Sequence, residues 1–138
     1  MEKIFHFDCP REVYQADACV ISCFDARFDL AMRKFLRRCG VVTFDHVKIP
    51  GAAKPLAAPE CDAERGFVLR MIRTSMALHR SPRALMIGHA DCGGYPNLPP
   101  DAVVADLQRA AAVLREAEPS LPVECYFADF DGLYRIPC

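Results

Sequence analysis

The sequence predicts an α/β fold with a mainly parallel central sheet and flanking helices. Short apolar runs alternate along the chain with longer segments whose apolar residues recur at helical spacing. This alternation favours parallel strands joined by right-handed crossovers, because each connecting helix packs back onto the sheet. Neither an internal repeat nor a linker divides the 138 residues, so we expect one domain over residues 1–138.

Four strands are predicted from short apolar or β-rich runs. Pro50 and Gly51 end the second strand, and Asp131–Gly132 predicts a turn into a terminal hairpin or tail. The predicted strands cover residues 18–23, 41–49, 84–88 and 123–130.

Three helices separate these strands, and each has recognisable end signals. Asp29 can cap the first helix and Gly40 can end it. Pro82 and Pro119 follow the second and third helices, where proline disfavours a helical residue before it. Residues 52–60 contain two prolines and are predicted to form a loop. The predicted helices cover residues 30–39, 61–79 and 101–118.

Composition and charge exclude several classes of partner. The hydrophobic share of 52% and the charged share of 25% are typical of a globular protein. A net charge of −1 provides no electrostatic footprint for nucleic acid or an anionic membrane. We find no signal-peptide pattern and no apolar segment of transmembrane length. The expectation is a cytoplasmic protein that binds neither nucleic acid nor a membrane.

Eight cysteines are many for this length, yet no Cys-x-x-Cys pair occurs. A core of full size and the missing signal peptide favour reduced thiols over a disulfide framework. Six of the eight are interpreted as small buried or surface residues: Cys9, Cys19, Cys39, Cys61, Cys125 and Cys138.

The remaining two cysteines lie in motifs that follow predicted strands. Cys23 stands after the first strand in Ser-Cys-Phe-Asp-Ala-Arg, residues 22–27. His89 and Cys92 stand after the third strand in Gly-His-Ala-Asp-Cys-Gly-Gly, residues 88–94. Because sites in parallel sheets form at the carboxyl ends of strands, we expect the two motifs to share one site.

The residue types in these motifs predict a metal site. Two thiolates and an imidazole suit zinc, and three protein ligands leave one tetrahedral position open, as in catalytic zinc sites. Each motif alone is a weak signal, since Asp25 and Arg27 could form a plain surface ion pair. Together they predict Zn²⁺ bound by Cys23, His89 and Cys92.

The combined motifs closely resemble those of the β-class carbonic anhydrases, which carry Cys-x-Asp-x-Arg after the first strand and His-x-x-Cys after the third. The order of elements agrees from about Cys19 to Gly132. The resemblance implies a β-carbonic anhydrase-like sheet, a homodimer or higher homo-oligomer, and zinc-hydroxide attack on carbon dioxide to give bicarbonate.

The resemblance also implies catalytic roles for two residues. Asp25 would accept a hydrogen bond from the zinc-bound hydroxide, and Arg27 would pair with Asp25 and hold it off the metal. In a closed form of some family members the matching Asp becomes the fourth ligand. Because two thiolates offset the zinc charge, we expect a less acidic bound water and activity favoured at alkaline pH.

One segment departs from the family pattern. Lys48–Ala53 stands where active members carry an Arg-Asn-Ala-Gly-like stretch, and lysine lacks the planar fork of arginine. Two kinds of substrate are therefore considered: carbon dioxide, or a related small molecule such as carbonyl sulfide or carbon disulfide. A catalytically silent zinc-binding domain is the alternative from another class.

Two further residues receive weaker interpretations. His46 could be a proton shuttle, but a solvated surface position is the preferred interpretation. Tyr95 follows the second motif and could border the site.

Overall fold

A five-stranded sheet forms the centre of the computed structural model, which describes all 138 residues. The order across the sheet is β2-β1-β3-β4-β5, and every neighbouring pair is parallel except β4 and β5. The predicted fold class is confirmed, and the turn near Gly132 leads into an antiparallel strand rather than a tail. The strands are β1 (Ala18–Ser22), β2 (Phe44–Lys48), β3 (Ala84–His89), β4 (Val123–Ala128) and β5 (Leu133–Ile136).

Four helices flank the sheet. The three predicted helices are confirmed, each to within one residue at either end. A short 3₁₀ turn, Ala26–Phe28, precedes the first helix. No helix combines the length and the hydropathy that crossing a bilayer requires. The helices are α1 (Asp29–Arg38), α2 (Lys54–Ala57), α3 (Asp62–His79) and α4 (Pro100–Ala117).

The predicted loop over residues 52–60 is wrong in part, because it contains α2. Pro55 lies in the first turn of this helix, where its missing N–H leaves no bond unmade. Ala52, Ala53 and Leu56 are at most 1% exposed. The segment after β2 is therefore packed into the core, although its prolines indicate a loop.

Strand β2 is shorter than predicted, since it begins only at Phe44. Val41 lies before the strand and packs in the core beside Leu36. The apolar side of α1 is formed by Met32 and Leu36, which are buried, whereas Leu30 is 65% exposed.

The core lies in two layers, one on each face of the sheet. Neighbouring strand residues point to opposite faces, so Val20 packs toward Leu36 of α1 while Ile21 lies in the other layer. That second layer contains Ile72 of α3 and Leu107 of α4. Both faces of β1 are buried, which explains why this strand is a continuous apolar run.

The connections create a crevice at the carboxyl ends of the strands, between β1 and β3. From β1 the chain passes to β2 on one side and later to β3 on the other. The loops that follow β1 and β3 therefore diverge, which is the arrangement that forms binding sites in open α/β sheets. Cys23 follows β1 directly, and His89 is the last residue of β3.

Candidate metal centre

Three potential metal ligands from the two motifs meet in this crevice. One ligand atom from each of Cys23, His89 and Cys92 lies within 4.8 Å of the other two. Their exposed fractions are 8%, 4% and 6%, so the three donors are shielded from bulk water. The crevice thus gathers two sulfurs and a nitrogen at a spacing that one metal ion can bridge.

The His89 imidazole is held in an orientation suited to metal binding. Its Nδ1 lies 2.8 Å from the Ala90 carbonyl oxygen, which fixes Nδ1 as the donor. Its Nε2 is buried and has no hydrogen-bond partner. Because a buried polar nitrogen without a partner is costly, the free lone pair indicates a ligand position.

The two thiols form a coupled pair. Cys92 Sγ lies 3.8 Å from Cys23 Sγ, and this contact lowers the pKa of Cys23 and raises the pKa of Cys92. The backbone N–H of Gly51 lowers the pKa of both thiols, and that of Gly94 acts on Cys92. Such N–H groups stabilise thiolates, the form in which cysteine binds metal. The donor set therefore fits a borderline-soft divalent ion such as zinc.

Asp25 and Arg27 lie on the 3₁₀ turn that follows Cys23. Asp25 Oδ1 accepts from the Arg27 backbone N–H at 3.0 Å and so caps this turn. The guanidinium binds both carboxylate oxygens, with Nη2 2.6 Å from Oδ2. These bonds from Arg27 lower the pKa of Asp25 to about 2. Asp25 is thus a fixed, ionised carboxylate beside the ligands.

Asp91 contacts the other edge of the same guanidinium. Its Oδ2 accepts from Arg27 Nη1 at 2.8 Å, and its backbone oxygen accepts from Arg27 Nη2 at 3.1 Å. Asp91 has a φ of 53°, in the left-handed region. The loop that carries Cys92 is thereby tied to the turn that carries Asp25.

An open cavity of about 480 Å³ lies over Cys23 and the cluster of Asp25, Arg27 and Asp91. It is large enough for a small substrate. The cavity is lined by Cys23, Phe24, Asp25, Arg27, Pro50, Asp91, Gly93 and Gly94. Outside this lining, the centre of the Phe28 ring lies 4.6 Å from that of the His89 ring, and the centre of the Phe130 ring lies 5.6 Å from that of Phe28.

The sequence matches one known family over most of its length. A family model described as "Putative carbonic anhydrase" matches residues 14–135, which include both motifs. The chain belongs to this carbonic anhydrase family. Among curated proteins, none matches the sequence significantly.

Solved structures of carbonic anhydrases share the fold of this chain. The β-carbonic anhydrase isoform I of Trichomonas vaginalis superposes with a TM-score of 0.67 at 11% identity, covering 95% of this chain and 87% of that one. A carbonic anhydrase from Streptococcus mutans gives 0.68 at 13% identity, covering 96% and 89%. At such identities the likeness concerns the fold, and the predicted β-carbonic anhydrase-like fold is confirmed.

The segment that departs from the family pattern contributes to the site through its backbone. Lys48 Nζ bonds to Asp29 Oδ1 at 2.5 Å, so this cation is directed to the start of α1. Gly51 instead lies where its backbone N–H lowers the pKa of both thiols. Sequence reasoning missed this role, because a backbone donor leaves no mark in the side-chain pattern.

Two residues with weaker interpretations are at least partly withdrawn from solvent. Tyr95 is 5% exposed, and its ring lies 5.3 Å from Lys54 Nζ, which bonds to the Gly94 carbonyl. His46 is half-buried, with Nε2 2.7 Å from Ser22 Oγ, so the expected solvated position is wrong. Burial and then the Lys48 cation lower the pKa of His46 to about 4, which makes it a poor proton shuttle near neutrality.

The six other cysteines match the interpretation as buried or surface residues. Cys19 and Cys125 are buried, and the remaining four are exposed. None of the six belongs to the ligand cluster.

Proposed function

We propose that this family member is a zinc-dependent enzyme that hydrates carbon dioxide to bicarbonate, with Cys23, His89 and Cys92 as the zinc ligands. The observation that carries the proposal is the buried, unpartnered Nε2 of His89 beside two thiols. An Asp–Arg pair next to this cluster supports catalysis, because a purely structural metal site has no use for it.

The bound zinc ion would supply Lewis acidity, which makes water a nucleophile near neutral pH. The chain itself would orient that nucleophile. Asp25 is ionised throughout the neutral range, so its carboxylate accepts hydrogen bonds and donates none. An O–H group that donates to Asp25 would be held in one orientation, with a lone pair left free to attack the substrate.

Arg27 would keep Asp25 in this accepting position. Three guanidinium contacts, all between 2.6 and 3.1 Å, fix the carboxylate plane. A lysine could not reproduce this fork of donors. With Asp25 held by Arg27 in this way, the metal position would stay open for water.

We further infer a homodimer or larger homo-oligomer. Phe24 and Phe130 are 60% and 68% exposed near the cavity, and α3 exposes Phe67, Met71 and Leu78 along one side. Large exposed apolar side chains favour association with another protein surface. Sedimentation equilibrium of the zinc-loaded protein tests this, and a monomer at all concentrations would refute it.

Since metal binding needs reduced thiols, we place the domain of residues 1–138 in the cytoplasm.

Stopped-flow hydration of carbon dioxide from pH 7 to 9 tests the activity, on protein whose zinc content has been measured. A zinc-dependent rate that rises with pH is expected, because two thiolates make a bound water less acidic. No rate at full zinc occupancy would reject the proposal. Hydrolysis of carbonyl sulfide or carbon disulfide would then support the related-substrate alternative, and inactivity toward all three would support a silent zinc domain.

A further inference from the structure

The Arg27 guanidinium is shared between two carboxylates on different loops. Its Nε and Nη2 bind Asp25, while Nη1 and Nη2 bind Asp91. The two partners occupy adjacent edges of one rigid plane, which share Nη2. Any rotation of that plane that breaks the Asp91 contacts also moves the donors that hold Asp25.

Stability alone does not account for the Asp91 contact. The Asp91 side chain is 73% exposed and that of Arg27 is 49% exposed. Exposed ion pairs of this kind contribute about 0–1 kcal/mol. The contact also uses a non-glycine residue at a φ of 53°, which costs on the order of 1 kcal/mol. With its backbone in this left-handed conformation, Asp91 contacts Arg27 through both its carboxylate and its carbonyl oxygen.

We propose that Asp91 is a positioning residue, which fixes Arg27 so that Arg27 holds the Asp25 carboxylate away from the metal position. This inference rests on the proposed function and adds a third member to the Asp25–Arg27 pair. Without Asp91, Arg27 keeps its contacts to Asp25 but loses the anchor on the opposite loop. The Asp25–Arg27 pair can then move as a unit, so Asp25 is less firmly held away from the ligand cluster.

Two substitutions of Asp91 change its carboxylate while they preserve the backbone conformation. Asp91→Gly removes the carboxylate acceptor, retains the backbone carbonyl oxygen and keeps the left-handed φ, which glycine adopts without strain. Asp91→Asn keeps a neutral acceptor and also tolerates this conformation. Asn97→Gly is the matched control, because Asn97 is an exposed residue of the same loop with a φ of 60°.

The first readout is NMR of the zinc-loaded protein with ¹⁵N-labelled arginine, with the Arg27 signal assigned from Arg27→Lys. Rotation about the Cζ–Nε bond of Arg27 is expected to be about tenfold faster in Asp91→Gly, intermediate in Asp91→Asn and unchanged in Asn97→Gly. Zinc content should stay at the wild-type level. An unchanged Arg27 signal in Asp91→Gly would overturn the proposal.

The second readout is carbon dioxide hydration. We expect kcat/KM to fall about tenfold in Asp91→Gly and less in Asp91→Asn, since misplacement of an orienting group lowers the rate. Faster Arg27 rotation with an unchanged rate would overturn the positioning role. If the wild-type protein hydrates no carbon dioxide while the Arg27 signal responds to Asp91, the proposed function fails and the structural link to Asp91 is upheld.

Discussion

Gly51 and Gly94 meet backbone to backbone. A Cβ atom at Gly94 would lie 2.8 Å from Gly51 Cα and 2.9 Å from Gly51 N. The loop after β2 and the loop that carries Cys92 are thus in direct contact. The backbone N–H of Gly51 also lowers the pKa of the Cys23 and Cys92 thiols. The glycine at position 94 is what allows the segment after β2 to reach the metal site.

Gly94→Ala should therefore destabilise the protein and weaken metal binding. The added methyl group meets backbone atoms that cannot rotate away, so we expect the free energy of unfolding to fall by about 1–3 kcal/mol. Gly93→Ala is the control, because a Cβ there has no neighbour within 4 Å. Urea denaturation of both variants measures the difference, and equal stabilities would show that the close approach carries no cost.

Cys23→Ser should remove a soft ligand and lower zinc affinity more than the roughly 10–100-fold expected for a residue that only supports a ligand. Competition with a zinc chelator measures the affinity. Cys61→Ser is the matched control, since Cys61 is exposed and lies at the start of α3, where serine is a favourable cap. Wild-type affinity in Cys23→Ser would remove this residue from the ligand set.

Asp25→Ala should leave zinc bound and slow carbon dioxide hydration by about 100-fold, because the nucleophile loses the group that orients it. Zinc content and the stopped-flow rate are measured on the same sample. Glu116→Ala is the control, as an exposed carboxylate of α4 remote from both motifs in sequence. An unaffected rate in Asp25→Ala would exclude Asp25 from the mechanism.

The zinc motifs could be recognised from the sequence because their chemistry is carried by side chains at strand ends. The continuous apolar run before Cys23 identifies β1, and that before His89 identifies β3. Parallel order then brings the two motifs together. The clustering of Cys23, His89 and Cys92 in the structure agrees with that expectation.

Other features of the site could not be predicted, because they depend on backbone geometry. Asp91 lies inside a recognised motif, yet its contact with Arg27 requires a φ that residue type alone does not specify. The N–H of Gly51 and the short helix α2 are equally invisible to side-chain periodicity. His46 is half-buried through its bond to Ser22, a contact between two strands that depends on their register.

The half-buried His46 should make stability depend on pH. Burial, with a smaller effect of the Lys48 cation, lowers its pKa from 6.5 to about 4. Below pH 6.5 the unfolded chain binds a proton that the folded protein does not, so acid favours unfolding. This contribution to stability is present above pH 6.5 and is lost as the pH falls toward 4.

His46→Gln should remove that pH dependence, because glutamine can still donate a hydrogen bond to Ser22 Oγ and does not titrate. Between pH 6.5 and pH 4, the free energy of unfolding of the wild type should fall by on the order of 2 kcal/mol more than that of the variant. Urea denaturation at several pH values measures both slopes on reduced, metal-free protein, so that acid release of metal does not contribute. Groups other than His46 titrate in both proteins and cancel in the comparison. Parallel pH profiles would show that His46 takes up its proton equally well in the folded and unfolded chains.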